Sequence, residues 1–289
     1  MLIAVCSLKG SPGVTTWSVA LAARWPQPAR IALVECDPSG GSVATRFELA
    51  STPGLVSLAA AARRDATAEL LWSHAQPLAG GLPVVAAPPG ADYTRAALHA
   101  LLDSRKKGVS VLRDAATVQG AVVIADCGRL DSTSPAMSIA READQVLLLA
   151  RPHADELTHL AAGLAMVDLW SMRPGLMLVG PGYPAAEVAR ELGMPVLARV
   201  PRDDKGARAL SGHAGTRRGP ARSALGKAAH QLATRLAMPP REPDASAMPL
   251  SVRERPVEHL VAGGADRWQT ASPPRRQGNP NDSSLEGRS

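Results

Sequence analysis

Leu8-Lys9-Gly10-Ser11-Pro12-Gly13-Val14-Thr15-Thr16 is the stretch whose reading decides the fold. Before it runs Leu2-Ile3-Ala4-Val5-Cys6-Ser7, apolar enough for a buried strand. After it, Trp17-Ser18-Val19-Ala20-Leu21-Ala22-Ala23-Arg24 reads as a helix. A strand, a glycine-rich loop and a helix headed by threonine make a phosphate cradle. Loop amides and the positive end of the helix dipole converge on one spot that suits a polyphosphate. The standard phosphate-loop pattern is Gly, four residues, then Gly-Lys-Ser/Thr. Here Val14 stands in the place of that lysine and Thr15 follows. A plain strand–loop–helix turn is the competing reading, because a glycine-rich loop without its lysine is weak evidence.

Two acidic strand ends lie further along. Ile31-Ala32-Leu33-Val34-Glu35 predicts a second strand and runs into Cys36-Asp37-Pro38-Ser39-Gly40-Gly41. Carboxylates at the carboxyl end of a strand border the ligand crevice of an open α/β sheet. Asp37 there could orient an attacking water or hold hydrated magnesium; a simple Asp-Pro-Ser-Gly turn fits the same residues. Ala121-Val122-Val123-Ile124-Ala125-Asp126 is the clearest buried strand, and it ends in an aspartate placed to hold magnesium through water. A helix-capping or turn aspartate is the alternative at position 126.

The remaining strands are expected at 82–87, 144–150, 175–180 and 195–200. Helices are expected within 42–80 and at 94–105, 134–143, 154–170, 185–192 and 223–237. Strand and helix alternate, which predicts an α/β fold: a parallel, doubly wound sheet with helices on both faces. From Met238-Pro239-Pro240 onward the apolar periodicity stops and Pro, Ser, Arg and Gly dominate. The chain therefore divides into a nucleotide-binding domain at 1–238 and a tail at 239–289 that its composition predicts to be disordered.

The motifs together resemble the ParA/MinD superfamily, the SIMIBI-class P-loop ATPases with a deviant Walker A loop, Lys-Gly-Gly-x-Gly-Lys-Thr. Lys9 matches the family's early signature lysine, Gly10 and Gly13 match glycines, Ser11 replaces one, and Thr15 matches the magnesium ligand. Val14 is the departure. Glu35-Cys36-Asp37-Pro38 is similar to the Asp-x-Asp-Pro motif, with Glu35 in place of the first Asp. Asp126-Cys127-Gly128 resembles Walker B, and Pro201-Arg202-Asp203 resembles the family's Pro-x-Asp loop beside adenine. Gly180-Pro181-Gly182 stands where the family commonly carries a base-binding Asn.

The resemblance implies ATP and Mg2+ as cofactors, and a homodimer formed around them. It implies catalytic roles for Lys9, across the dimer, and for Asp37. Gly10, Ser11, Gly13, Thr15 and Thr16 would cradle phosphate, Pro201 and Asp203 would lie at the base, and Thr15 and Asp126 would hold the metal. The function it implies is positioning or partitioning, as in chromosome partitioning, with slow or absent hydrolysis because residue 14 has no charge. The alternative is a nucleotide-independent scaffold in a pilus, secretion or septum-positioning system, with an unknown protein partner. A P-loop synthase would need a substrate domain that the sequence does not suggest.

Charge and composition narrow the setting. The net charge is +6, and nine basic residues lie between Arg199 and Arg235 against Asp203 and Asp204 alone. Such a segment suits non-specific DNA in a salt-dependent way; a solvated arginine-rich surface is the plainer reading. No apolar run reaches the ~18 residues of a membrane helix, and Lys9 and Gly10 come too early for a secretory signal, so a cytoplasmic protein is expected. Cys6, Cys36 and Cys127 lack metal-site spacing and read as small buried hydrophobes.

Overall fold

The computed structural model describes residues 1–65, 67–103, 110–170, 173–210 and 220–238. The proposed tail at 239–289 lies outside the described residues, as do Arg217 and Arg218 of the basic segment.

The quoted stretch joins β1 (Leu2–Ser7) to α1 (Val14–Ala23). Then follow β2 (Arg30–Glu35), α2 (Val43–Arg46), α3 (Leu55–Ala62), α4 (Leu70–Ser73), β3 (Gln76–Pro77), β4 (Pro83–Val85) and α5 (Ala91–Asp103). Next come α6 (Val111–Thr117), β5 (Ala121–Arg129), α7 (Met137–Glu142), β6 (Gln145–Ala150), α8 (Ala154–Trp170) and β7 (Pro174–Val179). The series ends with α9 (Ala185–Leu192), β8 (Val196–Val200), α10 (Asp204–Leu210) and α11 (Ala224–Ala237).

The strands form one sheet in the order β3-β4-β2-β5-β1-β6-β7-β8. All neighbours pair in parallel except β3 with β4. The expected parallel sheet therefore carries one short antiparallel edge. Gln76–Pro77 is too brief to show a period-2 pattern, so the sequence gives no sign of it.

Strand side chains alternate between faces, and both faces are dry. In β1, Leu2, Ala4 and Cys6 point into the layer of α3, α5, α6, α7, α8 and α9. Ile3 and Val5 point into the layer of α1, α10 and α11. β5 divides the same way, with Val123, Ala125 and Cys127 on one side and Val122 and Ile124 on the other. A strand buried on both faces reads as a continuous apolar run, and β1 and β5 carry such runs.

All three cysteines are free and buried, and burial raises each thiol pKa. Among the described residues no group of three or more His, Cys, Asp or Glu side chains is placed to hold a metal, and no helix is long and apolar enough to cross a membrane.

Two helices were not expected. Ser110 caps α6, its hydroxyl accepting the Arg113 N–H, and Asp203 opens α10. Each is a seven-residue helix, too short for a helical period to stand out.

Candidate functional site: the carboxyl edge of the central strands

The strand order puts the ends of β2, β5, β1 and β6 side by side, and the glycine-rich loop rises from the centre of that edge. Gly10 and Gly13 adopt left-handed conformations, φ 69° and 96°. Gly13 is the N-cap of α1, and its carbonyl accepts the Trp17 N–H at 2.9 Å. The helix thus starts at Val14, just ahead of the threonines expected to head it. The early amides of α1 are left pointing out of its N-terminus, where an anion would bind.

Val14 is 6% exposed and packs with Ile3, Val5 and Trp17 in the core. Its side chain is an apolar plug and brings no charge to the loop. Lys9 is exposed, lining a small cavity with Leu8, Leu149, Ala150, Glu156 and Leu160. Ser11 is exposed, and Thr15 and Thr16 are half-buried beside the cradle.

Asp126 lies at this edge, 1% exposed. Its Oδ1 accepts the Gly128 N–H at 3.3 Å, whereas Oδ2 is buried with no hydrogen-bond partner. Burial pushes its carboxyl up to about 7; the Thr15 hydroxyl pulls the other way, and Glu35 and Asp37 add to the rise. A buried carboxylate oxygen without a donor costs free energy unless a cation or a proton meets it. Asp126 and Thr15 therefore fit a hard divalent cation, for which oxygen ligands are the rule.

Asp37 joins the same site from the loop after β2. Its Oδ1 accepts the Ser39 N–H at 2.8 Å, fixing the turn, and its carboxylate packs against Gly128. A Cβ on Gly128 would come within 2.1 Å of that carboxylate, and φ there is 59°. Glycine at 128 is thus required for Asp37 to approach Asp126.

Glu35 has another job. In register opposite Asp126 and 2% exposed, it accepts the Ser42 N–H at 2.7 Å, the Val43 N–H at 2.9 Å and the Ala87 N–H at 3.0 Å. Burial raises its pKa, and these three amides oppose the rise. It fastens the loop after β2 to the end of β4. The sequence signals only an acid at a strand end and cannot separate this anchor from a ligand.

The β7 and β8 end of the edge is closed on itself. Arg199 donates to the carbonyls of Gly180 at 2.7 Å and Tyr183 at 2.5 Å. A Cβ on Gly182 would lie 2.1 Å from the Pro152 carbonyl oxygen. Asp203 accepts the Gly206 N–H at 2.8 Å and the Leu225 N–H at 3.1 Å, and these contacts hold its carboxyl below the usual range. Its carboxylate thus ties α10 to α11, while Pro201 stays half-buried at the end of β8. Lys9, Gly10, Ser11, Gly13, Thr15, Thr16, Asp37 and Asp126 gather around the loop; Pro201 and Asp203 lie at the far end of the edge.

A central β1 feeding a glycine-rich loop, with Asp126 of β5 beside it, is the feature that decides the architecture. The fold is that of the ParA/MinD ATPases. A ParA family ATPase from Chlorobium tepidum aligns with TM-score 0.63 and 14% identity over 81% of this chain and 98% of its own. The Pyrococcus furiosus cell division ATPase MinD aligns with TM-score 0.63 and 19% identity over 81% and 97%. Cobyrinic acid a,c-diamide synthase from Mycobacterium smegmatis, solved with an ATP analogue and magnesium, aligns with TM-score 0.55 and 19% identity over 81% and 93%. No protein-family model and no curated protein matches the sequence. The same fold thus carries a cell division ATPase and a synthase, and function has to be argued from the site.

Proposed function

We propose that this chain is a ParA/MinD-like positioning or partitioning protein that binds magnesium–ATP at the β1–α1 loop and dimerises around it, with weak or absent hydrolysis. The observation that carries this reading is the buried, partnerless Oδ2 of Asp126 beside Thr15 and the loop. Gly10, Ser11 and Gly13 would present amides to phosphate at the N-terminus of α1. Thr15 and Asp126 would hold Mg2+, which when bound supplies charge to offset that of the phosphates. Asp37, fixed by the Ser39 amide, orients a water. Lys9, exposed at the loop's crown, reaches the phosphates of a second copy.

Turnover suffers because residue 14 offers no charge. Loss of one electrostatic donor of this kind typically costs about 10²–10³ in rate. The amide cradle does not depend on that side chain, so binding suffers less. The test is ATP titration with and without magnesium, together with phosphate release. Wild type should bind ATP with magnesium and turn over very slowly, and Lys9→Ala should reduce ATP-dependent dimerisation. Brisk wild-type hydrolysis unaffected by Lys9→Ala would sink the mechanism.

A second reading, a nucleotide-independent scaffold, is favoured by the burial of Val14 and the closed β7–β8 end. Absence of ATP binding by wild type and by Val14→Lys would select it. The basic segment Arg199–Arg235 is proposed to add salt-sensitive, non-specific DNA binding. Replacing Arg217, Arg218 and Arg222 with Ala should flatten its salt slope, and no binding at low salt would dismiss it.

A further inference from the structure

A cation stands beside the loop that the motif does not contain. Arg151 follows β6 directly, and β6 pairs with β1 in parallel, Cys6 opposite Leu148, so residue 151 emerges next to the loop. One terminal nitrogen of its guanidinium, Nη2, donates to the Ser11 carbonyl at 3.3 Å. The other, Nη1, meets Glu156 Oε1 at 3.1 Å. Glu156, on α8, is buried, and its Oε2 accepts the Arg151 backbone N–H at 2.7 Å. A buried carboxylate thus grips one arginine at both backbone and head, and leaves that head about half exposed, 47%. A Cβ at Gly10 would fall 3.3 Å from Glu156 Oε1 and 3.9 Å from Arg151 Nη1, so the pair lies directly against the loop.

We propose that Arg151 is a phosphate-binding residue of this site and supplies the positive charge that Val14 lacks. The proposal rests on the nucleotide-binding reading above. A guanidinium has five N–H donors in a rigid fork that suits phosphate oxygens. The contacts to Ser11 and Glu156 use two of those donors and hold the half-exposed head beside the loop. Glu156 is a positioning residue: it fixes the arginine rotamer and touches no ligand.

The test uses the full chain, magnesium–ATP and inorganic tripolyphosphate as probes, and calorimetry. Arg151→Ala is expected to weaken both by roughly tenfold to a hundredfold, the worth of a charged hydrogen bond. Arg151→Lys should recover part of the loss. Arg151→Ala with Glu156→Gln removes the possibility that an unpaired carboxylate repels the anion, and it should stay weak. Val14→Lys added to Arg151→Ala should restore binding, which no repair of a purely structural defect would do; if that variant does not fold, Arg151→Lys carries the test. Binding within twofold of wild type in Arg151→Ala, or recovery on adding Glu156→Gln, overturns the proposal. Wild type that binds tripolyphosphate but not ATP refutes the nucleotide reading while Arg151 stands or falls by the same variants. Wild type that binds neither refutes both.

Discussion

The two halves of the sheet's carboxyl edge are built from similar parts and finished differently. At the β7–β8 half, Arg199 and Asp203 are bonded to backbone groups of the segments packed beside them. At the β1–β5 half, Asp126 keeps a buried oxygen without a partner. The contrast repeats at closer range, because Glu35 and Asp126 are register partners on adjacent strands. Glu35 is satisfied by three amides; Asp126 is not. A polar group that folding leaves unsatisfied marks where a ligand is expected, whereas one fully bonded by the backbone marks architecture.

The largest expected effect comes from breaking the satisfied partner. Glu35→Ala strands the Ser42, Val43 and Ala87 amides and should destabilise the protein by about 3 kcal/mol or more. Thermal unfolding measures it, and a change under 1 kcal/mol would mean the loops re-pair elsewhere.

Asp126 should behave in the opposite sense. Its folded pKa of about 7 exceeds the ordinary 3.8, so the folded state holds the extra proton between those values. That contribution is fully present below pH ~4 and is lost as pH rises through ~7. The magnesium-free protein should therefore melt lower at pH 8 than at pH 5.5 through this group. Asp126→Asn should flatten that dependence and raise the melting temperature at pH 8. Equal pH profiles for the two proteins would show that the oxygen is solvated after all.

Asp203→Ala removes a helix cap and should cost about 1–2 kcal/mol. ATP affinity should stay within about twofold, because the carboxylate faces amides of α10 and α11. A large loss of affinity at unchanged stability would place Asp203 at the base after all. Val14→Lys puts an ammonium stem into an apolar niche, so the melting temperature should fall without ATP and recover with it. The smallest effect belongs to the tail: a chain ended near residue 240 should melt within about a degree of the full one, since the core closes at α11.

The fold was largely legible because β1, β5 and β6 are long apolar runs, and their order relative to the loop carries the topology. Short pieces escaped: α6 and α10 carry too few residues for a period, and β3 has two. The site was legible as far as residue type goes. Thr15, Asp37 and Asp126 stand out by their places at a helix start and after apolar runs, and Lys9 only by the resemblance of its loop to the ParA/MinD pattern. What sequence could not give is the direction of each side chain. Glu35 and Asp126 both close apolar runs, and only the backbone around them sets the bonded carboxylate apart from the open one. Val14 signalled a missing charge, but its burial needed the packing of α1 on β1. Arg151 is 137 residues from Val14 in sequence and comes beside the loop only through the β1–β6 pairing.

The most direct test is the magnesium dependence of ATP affinity at pH 8, by calorimetry, for wild type and Asp126→Asn. Wild type should bind ATP at least about tenfold more tightly with magnesium than without, the worth of one charged contact. Asp126→Asn should lose that difference while remaining folded. Equal ATP affinity with and without magnesium in wild type, or an undiminished magnesium effect in Asp126→Asn, would contradict the assignment of Asp126 as the open half of the pair.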